Sequence, residues 1–121
     1  MLTDNSEKQR IIQELVPGKQ ITLAHIIANP DAVLYKKLGL DPAVEYTKSA
    51  IGLLTMSPAE TAIIAGDIAI KSSGAQLGFV DRFSGTVILT GTYSEVEASL
   101  KAVMEYCEKT LGFTVCNLTK T

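Results

Sequence analysis

The sequence predicts an α+β domain with a ferredoxin-like β-α-β-β-α-β core, a sheet with helices on one face. Three observations predict it. Two capping boxes, Ser57-Pro58-Ala59-Glu60 and Thr92-Tyr93-Ser94-Glu95, stand in front of helical patterns. Short apolar and β-branched runs lie before, between and after those helices. The Ser84-Gly85 pair separates two such runs, as a tight hairpin requires.

The elements follow in chain order. Residues up to Arg10 are polar, and Ile11-Ile12-Gln13-Glu14-Leu15-Val16 then spaces its apolar residues as a helical turn does. Pro17-Gly18 punctuates, which makes 1–16 an extension and 17–121 the domain body. Gln20 to Ala28 reads as a strand. Asn29-Pro30-Asp31 predicts a helix start, with Asn29 as N-cap and proline at the first helical position. That short helix should run to Leu38 and stop at Gly39, and Leu40 to Lys48 is a linker. Ala50 to Met56 reads as a buried strand. The helix behind the first capping box carries Ile63, Ile64 and Ile68 among alanines that let it lie close to a sheet, and Gly74 ends it. Gln76 to Phe83 and Thr86 to Thr90 form the hairpin. In the last helix Val96, Leu100, Val103, Cys107 and Leu111 recur on one face. Gly112 ends it, and Phe113 to Leu118 is the closing strand.

Composition narrows the functions. The chain has 121 residues, enough for one domain. Hydrophobic residues make up 46% and mean hydropathy is +0.21, which argues against disorder. Charged residues, at 20%, fall below the roughly 25% usual for soluble domains. Part of the surface is therefore expected to be covered by something other than water. A net charge of −2 argues against nucleic acid. The longest stretch without Asp, Glu, Lys or Arg, Phe83 to Ser94, is too short to cross a bilayer. The polar N-terminus carries no signal-peptide pattern, and two cysteines suit a reducing cytoplasm.

Catalytic and ligand motifs are missing. One histidine, His25, and the widely spaced Cys107 and Cys116 make no metal pattern, and no cofactor is implied. Both cysteines read as small buried hydrophobes. His25 falls within a strand, where a hydrogen-bonded structural role outweighs a catalytic one. Asp67, alone in its helix, reads as a solvated or helix-pairing charge more readily than as a catalytic acid. Neither GxxxxGK[ST] nor GxGxxG is present, so phosphate-cradling motifs are absent. A structural or binding role fits better than an enzyme.

Ala50-Ile51-Gly52-Leu53 through Lys71, then Gly78-Phe79 and Ser84-Gly85, resembles the domain of bacterial microcompartment shell proteins. That family shows an AIG(M/L) strand, an alanine-rich helix ending A-x-x-x-x-K-A-A, and a loop containing S-G. Ala65-Gly66-Asp67-Ile68-Ala69-Ile70-Lys71-Ser72-Ser73 is a near match to the helix ending. A piece similar to the family's H-V-I-P-R-P-H, His25-Ile26-Ile27-Ala28-Asn29-Pro30-Asp31, comes first here instead of last. This order resembles the circularly permuted members of ethanolamine-, propanediol- and choline-type compartments. Val16 to His25, Asp81-Arg82-Phe83-Ser84-Gly85 and the ending Leu118-Thr119-Lys120 look especially like that subgroup.

The resemblance implies a homohexamer that tiles with other shell proteins around an enzyme core in the cytoplasm. The enclosed enzymes are further partners, while membrane and nucleic acid are not. Lys71 matches the hexamer-edge lysine that packs against its counterpart across a two-fold. Two edge positions depart from the pattern: Gly74 replaces an asparagine, and Asn29 replaces an arginine set between prolines. Phe83, Ser84 and Gly85 match the central pore loop, although a serine-glycine pair also explains itself as a hairpin turn. In the permuted subgroup the N-terminal segment forms one strand of an axial barrel. Ile11, Ile12, Gln13, Glu14, Leu15 and Val16 would then be strand, against their helical spacing; a strand buried on both faces hides its alternation. Two other readings remain at this level. One is a ferredoxin-like regulatory module binding a small molecule between subunits. The other is a small enzyme using His25 with Asp67 or a serine.

Overall fold

A computed structural model describes residues 18–40 and 49–121. The elements are β1 (Gln20–Ile27), α1 (Ala32–Lys37), β2 (Ala50–Ser57), α2 (Thr61–Ser72), β3 (Gln76–Asp81), β4 (Thr86–Gly91), α3 (Tyr93–Lys109), β5 (Thr114–Val115) and β6 (Thr119–Lys120). Residues 11–16, expected as a barrel strand, lie outside the described residues, as does 41–48 of the linker.

One sheet runs β3-β4-β2-β1-β5, with β6 also pairing with β1. β2 is antiparallel to both β1 and β4. A ferredoxin-like sheet places its closing strand beside its first; here that place, next to β2, belongs to β1 and not to the Phe113–Leu118 segment. That segment keeps only the two-residue β5, and β6 follows it; both pair in parallel with β1 at the sheet's outer edge. The fourth core strand therefore comes from the start of the chain, and the core is ferredoxin-like in permuted order.

α2 and α3 cover one face. Ala62, Ala65 and Ala69 of α2 are fully buried, and their missing bulk brings the helix backbone down onto Leu54, Val87 and Leu89. Val96, Leu100, Val103 and Cys107 of α3 fill the same core, as their spacing predicts, while Leu111 lies past the helix end and is partly buried. The two helices meet through Ser99, fully buried, whose Oγ lies 2.7 Å from Ala69 O and 2.7 Å from Ser73 Oγ.

The expectation that all helices share one face is corrected. Alternation in β2 sends Ala50 and Leu54 toward α2 and α3 but Ile51 and Leu53 to the other side. There they meet Tyr35, Leu40 and Ile88, so α1 roofs a small second core on the opposite face.

Three end signals also differ. Asp31, not Asn29, caps α1: its Oδ1 accepts from Val33 N at 3.0 Å, so Asn29 and Pro30 remain in the connection. Gly39, at φ 71°, ends that helix as expected. The Ser57–Glu60 capping box does not form. Ser57 is still in β2, paired with Gln20, so α2 starts at Thr61 after a turn in which Pro58, Ala59 and Glu60 carbonyls accept from Thr61, Ala62 and Ile63. The Thr92–Glu95 box does form, with both reciprocal bonds. Finally, Phe83 lies beyond β3, in the turn itself.

Candidate functional site

The hairpin turn after β3 is organised by one carboxylate. Asp81 Oδ1 accepts from Phe83 N at 2.9 Å and Oδ2 accepts from Ser84 Oγ at 2.8 Å. These bonds, the Phe83 amide foremost and then the Ser84 hydroxyl, hold the Asp81 carboxyl below the usual carboxylate range. Gly85 follows at φ 78°, packed so closely that a Cβ would lie 2.2 Å from Met56 O. Its N–H donates to Asp81 O, and its carbonyl accepts from Met56 N, each at 2.9 Å. With both ends pinned, the turn projects Phe83 outward, 80% exposed, with the Arg82 guanidinium 4.9 Å from its ring centre.

A second candidate region lies on α2. Lys71 is 73% exposed, and its Nζ lies 2.9 Å from Asp67 Oδ2, one turn earlier on the same helix. Asp67 is therefore a helix-pairing charge. Ile63, Ile64 and Ile70, all large and exposed, flank this pair on the helix's outer side. Gly74 does not end α2 by a left-handed turn, since Ser73 is an extended C-cap. It leaves room instead: a Cβ there would collide with the Glu95 carboxylate of the α3 capping box, 2.1 Å away. Asn29 is exposed just after β1.

Register places these regions at opposite ends of the sheet. Ile27, which precedes Asn29, pairs with Ile51, and Gln76, which follows Gly74, pairs with Thr90. Lys71, Gly74 and Asn29 thus share one end, though β2 and β4 separate Asn29 from the other two. Phe83-Ser84-Gly85 sits at the other end, beside the Thr55–Thr86 pair. The length of six-residue β4, about 20 Å, lies between the two ends.

The catalytic alternatives lose their geometry. His25 pairs with Leu53 and shares its face, whereas Asp67 rides on α2 across the sheet. Both imidazole nitrogens are engaged, Nδ1 at 2.6 Å from Thr119 Oγ1 and Nε2 at 2.9 Å from Thr121 Oγ1. Thr119 Oγ1 also donates to Ala24 O at 3.3 Å. The histidine ties the last strand to β1. Cys107 is buried in the core and Cys116 partly so, and burial pushes the Cys107 thiol pKa up. Among the described residues, no cluster of His, Cys, Asp or Glu could hold a metal ion, and no helix is long and apolar enough to cross a membrane. Sequence reasoning missed the Asp81 turn, although Asp two residues before an exposed position and ahead of Ser-Gly is an Asx-turn signal.

Comparison with known proteins identifies the family. The BMC domain model matches residues 50–118. The chain is 55% identical to the bacterial microcompartment shell protein PduU of Salmonella typhimurium strain LT2, over 93% of each chain. It is 48% identical to the shell protein CutR of Streptococcus intermedius over 99% of each. A solved CutR flat hexamer superposes with a TM-score of 0.80 at 47% identity, covering 88% of this chain and 94% of that one. The small-molecule regulatory module finds no support in these likenesses. The matched model starts at β2, so β1 and α1 precede it in sequence, and β1 completes its sheet in space. The chain belongs to the BMC-domain family of bacterial microcompartment shell proteins, in its circularly permuted form.

Proposed function

We propose that this chain is a tile. Like the CutR hexamer it resembles, it closes with copies of itself into a six-membered ring, and rings join edge to edge with other shell proteins around an enzyme core in the bacterial cytoplasm. The observation that carries this reading is the separation of the two candidate regions along the sheet. A ring tile needs one end of each subunit at the central axis and the other at the rim. The pinned Phe83-Ser84-Gly85 turn suits the axis, and the exposed Lys71 end of α2, with Gly74 and Asn29, suits the rim.

Each ring interface is heterologous, one flank of a subunit meeting a different flank of the next. Leu77 and Phe79 on edge strand β3 are exposed apolar groups available to such a contact. The shortage of charge in the composition follows. The assembled layer works as a barrier, with passage along the axis set by width and lining polarity, and no covalent chemistry is involved. Residues 1–16 form an extension to the domain of 17–121, and in this reading Ile11 to Val16 supply one strand of an axial barrel that obstructs the pore.

Size-exclusion chromatography with light scattering tests the ring, and negative-stain imaging tests the sheet. A monomer at every concentration would refute the proposal. Deleting residues 1–16 should leave rings intact and open the axis; loss of all assembly would contradict the barrel.

A further inference from the structure

If Lys71 packs against its counterpart across a two-fold at the rim, each contact brings together two ammonium groups of like charge. The structure contains the group that would offset this. Asp67 stands one helical turn back, its carboxylate 2.9 Å from Lys71 Nζ, and the pair is solvent-exposed at both ends. In this geometry the ammonium is turned along the helix axis toward its own carboxylate. The part of Lys71 then presented outward is its methylene stem, which packs as an apolar group. Exposed Ile63, Ile64 and Ile70 continue that apolar surface on the same helix.

We propose that Asp67 is a positioning residue for tile-to-tile contact: it neutralises Lys71 within each subunit and orients it, so that two Lys71 stems can meet across the two-fold without opposing charges. This rests on the rim reading of Lys71. Asp67 and Lys71 lie together on the outer side of α2, opposite the buried Ala62, Ala65 and Ala69. Its only polar side-chain partner among the described residues is Lys71.

Electrostatic neutralisation has a distinctive salt signature. Removing the carboxylate leaves two unpaired ammonium groups at each contact, whose repulsion reaches about 30 Å at 0.01 M salt but only about 3 Å at 1 M. Asp67→Asn should therefore retain rings, lose sheets at low salt and regain them at high salt. Asp67→Glu, which can still pair at the same helical spacing, should form sheets at both. Adding Lys71→Met to Asp67→Asn removes the repelling charge and keeps a stem of similar length, so the double variant should form sheets at low salt. The assay is light scattering with negative-stain imaging of purified full-length rings over a salt series.

Asp67→Asn sheets at low salt like those of the parent protein would overturn the proposal. So would an Asp67→Asn defect that salt and Lys71→Met both fail to relieve. Failure of the rim reading itself looks different: Lys71→Asp would then leave sheets unchanged. Rings seen with every variant establish that folding is not what changed.

Discussion

Replacing Gly85 by alanine probes how tightly the Phe83–Gly85 turn is fixed, and Gly112→Ala is its control. Both glycines have nearly the same backbone, φ 78° and 74°, so both substitutions carry the same left-handed cost of about 1–2 kcal/mol. Their surroundings differ. A Cβ on Gly112 has only Lys19 Nζ nearby, at 3.9 Å, whereas one on Gly85 meets Met56 O at 2.2 Å and Ala59 Cα at 3.1 Å. The turn must therefore move by about an ångström, by comparison with the ordinary contact distance between carbon and neighbouring atoms. That shift breaks the bond from Met56 N to Gly85 O. Met56 is buried, and an unmet backbone donor there costs about 1–3 kcal/mol. Gly85→Ala should thus lose about 2–5 kcal/mol against about 1–2 for Gly112→Ala. Thermal unfolding of rings at one fixed protein concentration reads the difference, since oligomer stability depends on concentration. For a chain of this size each kcal/mol lowers Tm by about 3–6 °C. Equal losses from the two substitutions would refute the crowding argument.

Other consequences follow from the same contacts. Leu100→Ala empties a fully buried site and should cost about 2–5 kcal/mol in denaturant unfolding. Thr92→Ala removes the formed cap of α3 and should cost about 1 kcal/mol; Ser57→Ala, whose box does not form, should cost less. The Asp81 pKa is lowered in the folded chain, so its bonds support the turn at and above the ordinary aspartate pKa and are lost as pH falls through the lowered value. Protection of the Phe83 amide, taken relative to its intrinsic exchange rate, should fall in that acid window, and in Asp81→Ala it should be low at every pH. Burial raises the Cys107 thiol pKa, so iodoacetamide should leave Cys107 unmodified until the protein unfolds; native labelling of Cys107 at the rate of a free thiol would contradict its burial.

Local patterns in the sequence were sufficient where one element decides its own conformation. The apolar stripe of α3, its Thr92–Glu95 cap, the alanine face of α2 and the Ser84-Gly85 turn were all legible, because each depends on residues within a turn or two. The pairing of Lys71 with Asp67 belongs here too, since helical spacing alone brings them together. Tertiary contacts decided the rest. Ser57 matches a capping pattern, yet pairing with Gln20 keeps it in a strand. Asn29 matches another, but Asp31 is the residue whose carboxylate meets the free N–H of Val33. The closing strand could not be located by periodicity, because β1 occupies the place beside β2 and leaves the last segment to pair at the edge. The small core under α1 depends on both faces of β2 being covered, which a continuous apolar run does not specify. What the sequence determined by itself is the set of helices and turns and, through the joint order of its motifs, the family. Which strand fills which place, and the separation of the Phe83 turn from Lys71 at opposite ends of the sheet, are properties of long-range pairing that only the folded chain displays.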